Sequence, residues 1–166
     1  MKEYIRLLYA YNHWANERIL DACEKLSQEQ FLAGQGMSST NPSIRDTLVH
    51  TMAAQEMWLA RCGGVSPARL LDPRDFGTLA LIRQYWYQVE QHTQAYLGAV
   101  QDDVLLQTIE YKTTKGQPYA NVRWQVLVHQ ANHATQHRSE IALLLTRLSF
   151  SPGDLDFIVY LRQLEK

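Results

Sequence analysis

Residues 126–145 read VLVHQANHATQHRSEIALLL, and three histidines, His129, His133 and His137, recur there at every fourth position of an otherwise apolar run. That period is helical. At 100° per residue, His133 and His137 fall about 20° either side of the line through Val126 and Leu144, so both imidazoles share the stripe that faces a core. Burying two polar rings there is costly unless each ring nitrogen finds a partner, and a metal ion supplies one strongly. His129 lies about 60° from the stripe and about 12 Å by helical rise from His137, too far for one ion to take all three. His133 and His137 are therefore the preferred pair, with core-rim histidines bonded to carbonyls or water as the structural alternative.

Outward from this helix, expected from about Asn121 to Leu148, three more long seams appear. Ile5, Leu8, Asn12, Ala15, Ile19, Ala22 and Leu26 follow alternating three-and-four spacing, broken in character by Asn12 alone. A second helix opens with Asn41 before Pro42, or with Ser43 and Asp46 three positions on, ends before Gly63-Gly64, and carries His50. Leu79, Ile82, Trp86, Val89, Thr93, Tyr96 and Val100 give a third seam ending near Gln101–Asp103. TIEYKTTKGQPY, residues 108–119, suits a small hairpin or an irregular loop about Lys115-Gly116, and LDFIVYLRQL, after the SPGD break, a short terminal helix. The chain is expected to be all-α: one domain over 1–166, an antiparallel four-helix bundle.

Composition sets limits on function. The 166 residues are 46% apolar and 20% charged with a formal net charge of −1, which suits a folded core and excludes a basic nucleic-acid stripe. Cys23 and Cys62 lack metal or disulfide spacing and read as reduced, buried thiols. With no secretion signal and no apolar run near the roughly 20 residues that span a bilayer, a soluble cytoplasmic protein without membrane contact is expected.

Two histidines alone make a weak site, so a third ligand should come from another helix facing the same interior. His50 is the candidate, with Ala53, Ala54 and Met57 on its side; by spacing alone a structural role suits it equally. His13 and His92 lie off their seams and read as surface or pocket-rim residues. Trp58, Trp86 and Trp124 read as core or interface. The zincin pattern is excluded, because Ala134 stands where it needs Glu.

YNHWANERIL (11–20), SIRDTLVHTMAAQEMW (43–58), NHATQHRSEIA (132–142) and LDFIVYLR (155–162) together resemble the DinB (DinB/YfiT-like) family of metalloenzymes, over nearly the whole chain. That family shows a histidine, three residues, then His-Arg-x-Gln, so that His133 and His137 match two ligands and His50 the ligand carried by the second helix. Glu140 stands where Gln is more usual; a carboxylate there is expected to bond a ligand or pair with Arg138. The resemblance implies a four-helix bundle, often a homodimer, holding a divalent metal on three histidines with a position open to water or substrate. Zinc suits neutral imidazoles, as do nickel and iron. Asn12 and Trp14, with Tyr11 near, are expected to line the pocket beside the metal; for Asn12 an amide satisfied by backbone groups is the alternative. Arg138, about 100° round from His137, is expected at its rim in a salt bridge or an anion contact.

The resulting expectation is a metal-dependent enzyme acting on a small-molecule substrate, foremost a transferase using a low-molecular-weight thiol. A metal-dependent hydrolase uses the same ligands, and a non-enzymatic stress-related metal-binding protein would keep the site coordinatively closed.

Overall fold

In the computed structural model, which describes residues 1–34 and 41–165, the four apolar seams form four long helices. These are α1 (Lys2–Cys23), α3 (Ile44–Cys62), α4 (Leu79–Ala99) and α6 (Arg123–Arg147). Ser43, not Asn41, caps α3: its Oγ accepts the Asp46 N–H at 3.1 Å. Shorter elements join them. The Ser27–Gln30 capping box starts α2 (Gln28–Leu32), Pro73–Asp75 form a 3-10 turn, and α5 (Asp102–Leu105) follows α4. The 108–119 stretch resolves as a hairpin, β1 (Thr108–Lys112) antiparallel to β2 (Pro118–Val122), turning at Gly116 with φ +81°. Because Val122 still pairs with Thr108, α6 starts at Arg123 and not at Asn121. A last helix, α7 (Phe157–Leu164), packs on α1 through Tyr11 and Phe157, whose ring centroids are 5.0 Å apart.

Helix direction departs from simple alternation. Arg6 bonds the Leu97 carbonyl while Arg83 pairs with Asp21, so α1 and α4 are antiparallel, as are α3 and α6, where Trp58 meets His129 and His50 meets His137. The other two adjacent pairs run parallel. Tyr9 donates to the Leu127 carbonyl and Arg138 to Asn16, which sets α1 alongside α6 in the same sense. The physical cause is the connection over residues 63–78, long enough at about 3.3 Å per residue to return along α3 before α4 begins. The all-α four-helix bundle is as expected, with the hairpin a small addition, and its helices run two up and two down and not in strict alternation.

The core has two apolar layers. One gathers Ile19, Leu48, Met52, Ile82, Ile141 and Leu145, the other Ile5, Tyr9, Leu97, Leu105 and Leu127. Between them every long helix contributes buried polar groups: Asn12 and Asn16 from α1, Gln55 from α3, Glu90 and Thr93 from α4, Gln130, His137 and Arg138 from α6. Gln55 ties part of this belt, donating to Glu90 and Thr93 and accepting from the Trp86 indole N–H. No described helix is long and apolar enough to cross a membrane.

Candidate metal centre

His50 projects from α3, and His133 and His137 from α6, into the same space. Ring centroids are 4.5 Å apart for His133 and His137, 4.8 Å for His50 and His137, and 5.1 Å for His50 and His133. One nitrogen from each ring lies within 4.8 Å of the other two, so that a small inward turn of the rings would let a single cation touch all three. The spacing follows from local structure: i,i+4 placement puts two rings side by side on α6, and the antiparallel α3 brings the third across.

The donor set suits a divalent ion. The Nδ1 of His137 lies 2.7 Å from the Glu140 carboxylate, so that Nδ1 carries the proton and Nε2 is left as the ligand atom. Glu140 thus takes the first of its two expected roles and does not pair with Arg138. Burial first, then the neighbouring imidazoles of His137, His50 and His129, pulls the proton affinity of His133 down to about 4. Burial and His137 lower that of His50 as well. Both rings are therefore neutral at pH 7, as ligation requires. Three protein ligands leave room in a tetrahedral shell for a fourth, exchangeable one.

The sequence profile of the DinB family matches residues 1–165, essentially the full chain. The chain belongs to the DinB family. It is also similar to "Protein DinB" of Bacillus subtilis (strain 168), 25% identical over 174 aligned positions that cover 97% of this chain and 95% of that protein.

Around the histidines, this DinB-family chain differs from expectation in detail. Arg138 is not at a rim: it is 3% exposed, and its guanidinium donates to Asn12 Oδ1, to Asn16 Oδ1 at 2.9 Å and to Thr135 Oγ1 at 2.8 Å. The 100° turn from His137 points it at α1, into the polar belt, and not at solvent. Among the described residues no carboxylate pairs with it, and burial lowers its proton affinity. Asn12 is buried with its Oδ1 committed to Arg138, so the backbone alternative does not apply to that oxygen. Asn16 was not singled out from the sequence, although its place one turn after Asn12 on the same face is a readable signal. Trp14 packs against Tyr160 of α7 at 5.5 Å and under Arg18 at 5.1 Å. His129 stays outside the triad, stacked 5.9 Å from His133. His13 sits half-exposed with Nδ1 4.0 Å from Glu90, and His92 is exposed.

Proposed function

We propose that this chain is a divalent-metal-dependent enzyme whose centre is His50, His133 and His137, and that it transfers a low-molecular-weight thiol to an electrophilic small molecule. The convergence of three imidazoles from two helices carries the proposal. When bound, a divalent ion supplies positive charge that favours thiolate over thiol at neutral pH. His50 and His133, disposed to stay unprotonated, leave that charge undiluted. Glu140 fixes the tautomer of His137, and with that bond it is engaged and not a ready general base for water. This favours a thiol nucleophile, which needs no separate base once its proton affinity is lowered, over hydrolysis. Zinc is the ion that fits best, with nickel and iron as the other matches to this donor set.

Elemental analysis is expected to find one divalent ion per chain, and none in His50→Ala or His133→Ala. Zinc-loaded protein should conjugate glutathione or cysteine to monochlorobimane, and chelation should abolish turnover. Conjugation unaffected by chelator, or full metal content in both variants, would overturn the proposal. Ester or amide hydrolysis without thiol transfer would replace it with the hydrolase reading.

A further inference from the structure

His129 has one side on the triad and the other on open space. Its ring stacks on His133 at 23° between planes and meets the Trp58 indole edge-on at 5.0 Å. Beyond it opens a cleft of about 480 Å³ bounded by Trp58 of α3, Tyr111 of β1, Asn121 of β2, and Gln125, Val126 and His129 of α6. Trp58 and Tyr111 stand nearly perpendicular, 5.3 Å apart, and the buried Arg61 guanidinium lies 4.4 Å and 4.9 Å from their ring centroids. Arg61 Nη2 donates to the Lys112 carbonyl, which fixes that cation behind the aromatic wall.

The polar rim is biased toward donors. Asn121 Oδ1 accepts from the Tyr111 hydroxyl at 2.8 Å, and Gln125 Oε1 accepts from the Val122 N–H at 3.4 Å. Each amide oxygen already accepts one hydrogen bond, while each –NH2 group can only donate. Among the described residues no carboxylate lines the cleft. Aromatic faces favour a flat partner, donors favour acceptor oxygens, and the positive charge behind the rings disfavours a cation. Trp58, which the sequence alone places in core or interface, is half-buried and forms a wall.

We propose that this cleft is the subsite for the electrophile: it holds a planar, unsaturated group bearing oxygen acceptors, one histidine away from the metal centre. The proposal rests on the metal reading above for its reaction, though not for its binding. It also gives the hairpin a task, since β1 and β2 supply Tyr111 and Asn121.

Benzohydroxamate and acetohydroxamate share one metal-binding head and differ in the ring, so the pair separates the subsite from the ion. Zinc-loaded protein is expected to bind benzohydroxamate about tenfold more tightly, the upper range of an aromatic contact. The Trp58 indole N–H signal, assigned by its loss in Trp58→Phe, should move with benzohydroxamate and not with acetohydroxamate. Tyr111→Ala should bring the two affinities level at unchanged zinc content. If that variant does not fold, Gln125→Trp, on the exposed first turn of α6, fills the cleft and should do the same. Equal affinities in the unmodified protein, an unmoved Trp58 signal, or a preference that survives substitution would overturn the subsite. Zinc content of the same samples tests the metal reading separately: a chain without zinc whose Trp58 signal still responds to benzohydroxamate keeps the subsite and loses the metal.

Discussion

Glu140 shows how one side chain can set the behaviour of a candidate ligand beside it. By accepting from His137 Nδ1 it holds the imidazole in one orientation and raises its basicity toward an ion. Glu140→Ala is expected to weaken zinc binding about 10- to 100-fold, measured by competition with a chromogenic chelator. Glu140→Gln should recover most of that loss, because the amide oxygen can accept the same hydrogen bond. The histidines were legible because four-residue spacing on a core stripe has few other uses; the destination of Arg138 was not. An angle about the helix axis says which way a side chain leaves, and what it meets depends on which helix lies alongside.

The turn that closes helix α6 holds a residue that its own backbone conformation disfavours. Ser149 lies at φ 68°, while Phe150 N–H bonds the Leu145 carbonyl at 2.8 Å and Ser149 N–H the Thr146 carbonyl at 3.0 Å, a Schellman closure that glycine usually makes. Ser149→Gly is expected to stabilise the fold by about 0.5–1 kcal/mol, read from the midpoint of urea unfolding. The four long helices were legible from periodicity, since each seam spans several turns. The short α2, α5 and the 3-10 turn were not, being briefer than the window over which a period can be recognised, although the Ser27–Gln30 box marks one of them. The parallel pairing of α3 with α4 had no local signal, because direction is set by the path of the link over residues 63–78.

Across the molecule, burial decides how the ionisable groups of the apolar layers respond to alkali. It pushes the Cys23 thiol up to about 12 and the Cys62 thiol up to about 11, from an ordinary value near 9, and raises the Tyr9 hydroxyl too. Groups whose folded values exceed their unfolded ones contribute stability that is whole below the unfolded value and lost as pH climbs through the folded one. Urea unfolding is therefore expected to show constant thiol-linked stability up to about pH 9 and a progressive decline from there toward 12. At pH 8 neither thiol should react with Ellman's reagent until denaturant is added.

The triad also spans the chain in a way that matters to an unfolded polypeptide. His50 and His133 stand roughly eighty positions apart, so an ion gripping both would fasten a large loop shut, and would favour the native form by mass action. A cell short of the cation would then hold a bundle that opens more often to proteases. The amount of this protein would track trace-element supply, whatever reaction it performs.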